Sequence, residues 1–69
     1  MAFISNKQRP KIGSKVSIIR EIITYEGTWE RDTVVTLTDH LIDPRGNYWK
    51  ASDNLGNNIF LSESEFRVI

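Results

Sequence analysis

The chain has 69 residues, nine basic and nine acidic side chains, no net charge and no cysteine. A chain of this length forms one small domain and needs most of its apolar side chains for a single core, which leaves little volume for a deep catalytic pocket. The absence of cysteine excludes disulfides and thiolate metal sites. Because no apolar run is long enough for a signal peptide or a membrane span, we expect a cytoplasmic protein without a membrane partner.

The charges are unevenly distributed along the chain. Residues 1–20 contain five basic side chains and no acidic one, whereas residues 21–69 contain nine acidic and four basic side chains. We interpret residues 1–11 as a flexible basic leader and residues 12–69 as the folded domain. A basic leader either aids solubility or binds nucleic acid. The side chains that would contact nucleic acid are Lys7, Arg9, Lys11 and Lys15.

Isoleucine occurs nine times and alanine twice, a balance that favours strands over helices. This balance is also typical of AT-rich genomes and fits a phage or bacterial accessory protein. The first patterned segment, residues 16–25, has two interpretations. Val16, Ile19 and Ile23 fit one face of a helix, but the density of β-branched residues favours a strand interrupted at Arg20.

Four further short strands are predicted, at residues 33–42, 48–52, 59–61 and 66–69. In the first of them, the alternation places Leu41 on the same face as Val35 and Leu37. Pro44 and Gly46 then suit a tight turn, since proline presets φ and glycine accepts a positive φ. Residues 26–32 are predicted to be a loop. Five short strands joined by hairpin-length loops indicate an all-β fold, a small five-stranded barrel that is closed or nearly closed.

The last third of the chain resembles SH3 domains. Those domains carry two aromatic residues, a basic residue and alanine, then a hairpin loop, and then a Gly-aromatic-Ile-Pro-Ser-Asn-Tyr-Val segment. Residues 48–51 (Tyr-Trp-Lys-Ala) match the first piece, and residues 59–66 (Ile-Phe-Leu-Ser-Glu-Ser-Glu-Phe) match the second in length and apolar pattern. The resemblance implies an SH3-like barrel of the divergent bacterial or phage type that acts as a non-catalytic protein-interaction module.

The residues with which SH3 domains dock polyproline are only partly present. Tyr48 stands at the first aromatic position, but Ser62 replaces the proline and Glu65 replaces the tyrosine. An aromatic-lined groove is what makes polyproline docking favourable. We therefore do not expect this chain to recognise PxxP motifs.

The predicted partner contacts are aromatic and basic side chains, namely Tyr48, Trp29, Tyr25 and Lys50. Strand alternation places Tyr48 and Lys50 on one face and Trp49 and Ala51 on the other. The resemblance to SH3 domains implies that Tyr48 is the exposed aromatic residue and Trp49 the sheltered one. Trp29, in the charged first loop, is either a contact residue or a cap on the core. If that loop leans over the third strand, Trp29 joins Tyr25 and Tyr48 in one aromatic patch.

The sequence offers no constellation for catalysis or metal binding. His40 is the only histidine and is expected on the surface, and a metal site needs several converging ligands. Glu63 and Glu65 are predicted in an exposed turn, outside the kind of enclosed site that acid–base catalysis requires. We expect no enzymatic activity, no cofactor and no small-molecule substrate. The expected partner is a protein, with Tudor- or KOW-type nucleic-acid binding as the alternative, and the chain is expected to be a monomer or a weak homo-oligomer.

Overall fold

The computed structural model describes residues 9–69, which form strands, turns and loops without a helix. That range therefore holds no helix capable of crossing a membrane. Residues 1–8, which include Lys7 and most of the predicted leader, lie outside the described range. Seven strands occur within it: β1 (Lys15–Ile18), β2 (Ile22–Thr24), β3 (Gly27–Trp29), β4 (Val34–Asp43), β5 (Gly46–Ser52), β6 (Asn58–Ser62) and β7 (Phe66–Val68). The all-β prediction is confirmed, with seven strands in place of five.

Five of the strands form one antiparallel sheet in the order β6-β5-β4-β1-β7. The other two, β2 and β3, form a separate hairpin that connects β1 to β4 along the chain. Within residues 9–69, no pairing joins the edge strands β6 and β7. Residues 9–69 thus form a small all-β domain with two sheets, and these do not form a closed barrel.

The segment 16–25 is extended and interrupted at Arg20, as the β-branched composition favours. β1 pairs with β4 and β7, whereas β2 leaves the main sheet and pairs only with β3. Main-chain hydrogen bonds hold the interruption in place, since the Ile19 N–H donates to the Glu65 carbonyl at 3.0 Å. The Arg20 guanidinium also lies 3.3 Å from the Glu65 carboxylate.

The prediction of a loop over residues 26–32 is wrong in its middle, where β3 lies. The turn between β2 and β3 is organised by Thr24. Its hydroxyl donates to the Gly27 carbonyl at 2.7 Å and accepts from the Glu26 N–H at 3.2 Å. Threonine hydroxyls that bond nearby backbone groups favour turns. The turn therefore falls at residues 25–26, and the residues after it are free to pair back onto β2.

β4 is the longest strand and is shared by both halves of the main sheet. Residues 34–36 pair with β1 and residues 36–43 pair with β5, and the register with β5 shifts between Leu37 and Asp39. Thr38 is the extra residue of this β-bulge, and its hydroxyl donates to the Lys50 carbonyl at 3.2 Å. A bulge bends the strand and increases its twist, which lets β4 serve both halves.

The bulge also resets which side chains face the core. Leu41 pairs with Tyr48 and is 43% exposed, so its predicted position on the face of Val35 and Leu37 is wrong. His40 pairs instead with the buried Trp49. One inserted residue moves every later side chain to the other face because the strand repeat is two residues.

A single hydrophobic core fills the inner side of the main sheet. Its buried members are Val16, Ile18, Val35, Leu37, Trp49, Ala51, Ile59, Leu61 and Phe66. Ile22 and Trp29 of the hairpin are partly buried and pack against this cluster. The second sheet therefore covers part of the core that the first leaves open.

Candidate functional site

The side of β4, β5 and β6 that faces away from the core carries several large side chains. We call this surface the outer face, and it comprises Asp39, Leu41, Tyr48, Lys50 and Phe60. The strand register places Asp39, Lys50 and Phe60 in one row across three strands and places Leu41 opposite Tyr48. Phe60 is 60% exposed, whereas Tyr48 and Lys50 are half-buried. Two of the predicted contacts thus lie on a common surface with an exposed aromatic ring.

The opposite side of β5 is structural. Trp49 is 4% exposed, its ring stacks on His40 with centroids 4.0 Å apart, and its indole N–H donates to the Glu63 carboxylate at 2.9 Å. Ala51 is also buried, in agreement with the predicted alternation. His40 itself is exposed. Within residues 9–69, no three His, Cys, Asp or Glu side chains lie close enough together to hold a metal ion.

A groove of about 530 Å³ separates the β2–β3 turn from β6. Tyr25 and Glu26 line it from the hairpin, and Lys50, Asn58 and Phe60 line it from the main sheet. Tyr25 is fully exposed. The structure therefore brings two predicted contacts, Tyr25 and Lys50, to one groove together with Phe60.

A second groove, of about 420 Å³, continues along β3 towards the β5–β6 loop. Trp29 and Glu30 line its hairpin side, and Asp53 and Asn57 line the other. Trp29 is partly buried against the core, which favours its interpretation as a core cap. The predicted patch of Tyr25, Trp29 and Tyr48 is not formed around one groove, because Tyr25 and Trp29 line different grooves and Tyr48 lines neither.

Phe60 is the contact candidate that the sequence reasoning missed. It lies between Ile59 and Leu61, and the three apolar residues suggest a strand buried on both sides. In the structure Ile59 and Leu61 are buried and Phe60 points the other way. Strict two-residue alternation applied to this short strand would have identified it.

The charged side chains that border the two grooves are mainly acidic. Glu26 borders both, Glu30 and Asp53 border the second, and Lys50 is the basic residue on the first. Glu26 and Glu30 are exposed, and within the described chain neither carboxylate takes part in an ion pair, since Arg20 and Glu65 form the one pair there. These two carboxylates are therefore accessible to a cationic ligand.

The Asp53 carboxylate is instead occupied by its own loop. The Asn57 side-chain amide donates to it at 3.0 Å, and the backbone N–H groups of Asn57 and Leu55 donate at 2.9 Å. The Asn57 side-chain hydrogen bond is the main cause that lowers the pKa of Asp53, with the backbone hydrogen bonds adding to it and slight burial opposing it. The Asp53 carboxylate therefore stabilises the loop between β5 and β6, and its oxygens are less accessible to a ligand than those of Glu26 and Glu30.

We expect Asn57→Ala to raise the pKa of Asp53 towards its ordinary value, because the side-chain donor is lost. The pKa of Asp53 is lower in the folded chain than in the unfolded chain. The ionised carboxylate therefore stabilises the fold fully when the pH is above the unfolded pKa of about 3.9. This stabilisation is lost as the pH falls through the folded pKa. Carbon-13 NMR titration of the carboxyl group measures the change. Leu55→Ala keeps its N–H donor and is the matched control; equal Asp53 pKa values in the wild type and Asn57→Ala would contradict this account.

The basic residues predicted to contact nucleic acid lie at the N-terminal end of the described chain. Arg9, Lys11 and Lys15 are exposed, and Lys7 falls outside the described residues. A turn, closed by the Ser14 N–H donating to the Lys11 carbonyl at 2.9 Å, leads into β1. Arg9, Lys11 and Lys15 line neither groove.

Comparison with known proteins gives no relative on which to base a function. No protein-family model matches this chain. No curated protein and no solved structure matches it either. The outer face and the two grooves are therefore the basis for the function proposed below.

Proposed function

We propose that this chain is a small, non-catalytic protein-interaction module built on an SH3-like barrel that is left open. The strand order β6-β5-β4-β1-β7 supports the proposed fold, together with a hairpin between β1 and β4. A single turn closed by the Glu65 N–H donating to the Ser62 carbonyl, at 3.0 Å, precedes the last strand. These elements follow one another in the order found in SH3 domains.

The observation that carries the functional proposal is the set of large side chains exposed on one side of the molecule. Tyr25 and Phe60 line one groove, and Leu41 and Tyr48 continue the same surface along β4 and β5. Exposed aromatic residues are enriched at the energetic centres of protein interfaces. Because Tyr48 pairs with Ser62, where SH3 domains have proline, we do not extend the proposal to polyproline ligands.

The proposal is tested by affinity capture from lysate of the source cells, with and without nuclease, followed by mass spectrometry. We expect a stoichiometric protein that survives nuclease treatment. Loss of every captured protein on nuclease treatment would overturn the proposal and favour nucleic-acid binding through Arg9, Lys11 and Lys15, which are exposed. That alternative also requires affinity that falls steeply with salt.

We expect Tyr48→Ala and Phe60→Ala each to weaken binding of the captured protein by about 1 kcal/mol or more, because both remove an aromatic ring from the outer face. Calorimetry with the purified partner measures the change, and thermal melts show that the variants are folded. Leu55→Ala removes an equally apolar, exposed side chain that lines neither groove and should bind normally. If Tyr48→Ala and Phe60→Ala bind the partner as tightly as Leu55→Ala does, the interface lies outside the outer face.

A further inference from the structure

β6 is an edge strand with an unused hydrogen-bonding edge. In the main sheet it has β5 on one side and, within residues 9–69, no strand on the other. Both backbone groups of Ser62 are used by the following turn, its N–H by the Glu65 carboxylate at 2.9 Å and its carbonyl by the Glu65 N–H. Hydrogen-bonded and non-hydrogen-bonded pairs alternate along an antiparallel ladder. Counting back from Ser62, the backbone groups of Phe60 and Asn58 therefore point towards the open edge.

The two grooves adjoin along this open edge. Both are bordered by Glu26 and Asn58, so together they form one channel between the hairpin and β6, which we call the edge groove. Residues of β3 line one wall of it and Asn58 of β6 lies on the other, and no backbone hydrogen bond joins these two strands within residues 9–69. The open edge of β6 thus borders a groove, and no strand within residues 9–69 forms backbone hydrogen bonds with that edge.

The sequence of β6 does nothing to protect this edge. Edge strands usually carry a charged residue, most often lysine, or a proline, and these residues prevent pairing with a second chain. The five residues Asn-Ile-Phe-Leu-Ser contain no charge and no proline. An unprotected edge beside a preformed groove is suited to receiving an added strand.

Charge indicates what that strand contains. Three carboxylates, of Glu26, Glu30 and Asp53, border the edge groove against one ammonium group, of Lys50. The Glu26 and Glu30 carboxylates are exposed and outside any ion pair of the described chain. A second copy of β6 brings no basic side chain to them. The complementary ligand is an extended peptide segment with lysine or arginine at alternate positions.

We infer that a basic, extended peptide segment of a partner protein binds in the edge groove as an added strand on β6. This inference rests on the proposed interaction function and specifies its mode. The backbone of the segment exchanges hydrogen bonds with Asn58 and Phe60, which gives affinity independent of sequence. Its basic side chains face Glu26 and Glu30, which gives preference for cationic segments.

The first test uses a short, blocked peptide of alternating lysine and valine, added to the ¹⁵N-labelled chain and followed by NMR. We expect chemical-shift changes and slowed amide exchange at Asn58 and Phe60, and weaker binding in Glu26→Gln and Glu30→Gln. A matched peptide of alternating glutamate and valine should not bind. Unchanged Asn58 and Phe60 amides at saturating lysine peptide, or equal binding of the glutamate peptide, would overturn the inference.

The second test removes one hydrogen-bond donor from the edge. Asn58→Pro deletes an N–H that faces the open side, where proline is tolerated, and Asn58→Ala keeps it. We expect the proline variant to bind the lysine peptide about tenfold more weakly than the alanine variant. If Asn58→Pro does not fold, peptides N-methylated at alternate residues replace it: one set of positions should abolish binding and the other should preserve it. Equal binding of both sets would exclude strand addition.

The outcomes separate this inference from the proposed function. If Tyr48→Ala and Phe60→Ala weaken capture of the protein partner but Asn58→Pro does not, the module binds proteins in another way and strand addition is wrong. If the lysine peptide protects the β6 amides but no protein is captured, the edge site stands and the proposed function fails. Protection of the Asn58 and Phe60 amides without peptide, in a dimer detected by sedimentation, would assign the edge to a second copy and overturn the inference.

Discussion

Trp49→Ala is expected to abolish the cooperative fold. The indole is 4% exposed, contributes to the core, stacks on His40 and donates to Glu63. Removing a buried tryptophan costs about 3–5 kcal/mol through lost burial and the cavity that remains. A domain below about 70–80 residues rarely has more than about 3–5 kcal/mol of stability in total. Far-UV circular dichroism during urea titration should show no cooperative transition.

The controls divide the Trp49 effect into its parts. Trp49→Phe keeps an aromatic ring against His40 and loses the donor to Glu63, and we expect a loss of about 1–2 kcal/mol. Glu63→Gln keeps an acceptor on an exposed side chain and should change stability by no more than about 0.5 kcal/mol. A cooperative Trp49→Ala transition near the wild-type midpoint would show that the indole is not essential to the core.

Trp29→Ala is expected to destabilise the fold. Although Trp29 lines the edge groove, its ring is partly buried against the core, so we expect the folded molecules to lose less partner affinity than Tyr48→Ala or Phe60→Ala does. Trp29 ends β3 and packs, partly buried, against the core cluster. The loss should be about 2 kcal/mol, less than for a fully buried tryptophan. In a domain of this size that corresponds to a fall of roughly 8–16 °C in Tm. Thermal denaturation measures the change in stability, and calorimetry with the captured partner measures binding below the transition.

Tyr25→Ala is the matched control for Trp29→Ala. Tyr25 lies in the turn of the same hairpin but is fully exposed, so its loss should change stability by about 0.5 kcal/mol or less. The opposite pattern, with an unchanged Tm and weakened partner binding in Trp29→Ala, would identify Trp29 as a contact residue. The two variants thus resolve the alternatives that the sequence leaves open for Trp29.

Local patterns predicted most of the strands. The density of β-branched residues in segment 16–25 favoured an extended chain, and Pro44 and Gly46 indicated the turn between β4 and β5. In the structure Gly46 has a φ of 137°, and the Asp43 carboxylate accepts the N–H groups of Arg45 and Gly46 at 2.8 and 3.1 Å. These features were predictable because each depends on a few neighbouring residues.

The features that were not predicted depend on contacts between distant residues. The bulge at Thr38 lies just after the part of β4 that pairs with β1, and nothing in the sequence of β4 marks the extra residue. It moved Leu41 to the outer face and His40 onto Trp49. Likewise, β3 was hidden because Gly27–Trp29 is short and follows a polar turn. Its pairing becomes favourable only once Trp29 can pack on the core.

For the candidate site, the sequence predicted which strand face carries Tyr48 and Lys50, but it did not predict which other residues join them. Alternation in residues 48–51 correctly placed Tyr48 and Lys50 opposite Trp49. Which hairpin residue would approach Lys50 depends on how the second sheet lies on the first, a relation that short-range patterns do not contain. The groove shared by Tyr25, Lys50 and Phe60 therefore emerged only from the tertiary structure.

The pairing of β1 with β7 has a consequence for how fast the domain folds. It places Val16 opposite Val68, so two strands from opposite ends of the described chain must meet before either gains a partner there. Closing so long a loop costs entropy before any contact compensates it. Chains dominated by such non-local pairings fold in roughly milliseconds to seconds, much more slowly than helical bundles of the same size. The adjacent β4–β5 and β5–β6 hairpins need only short loop closures, so we expect them to form first and β1 to join β7 late.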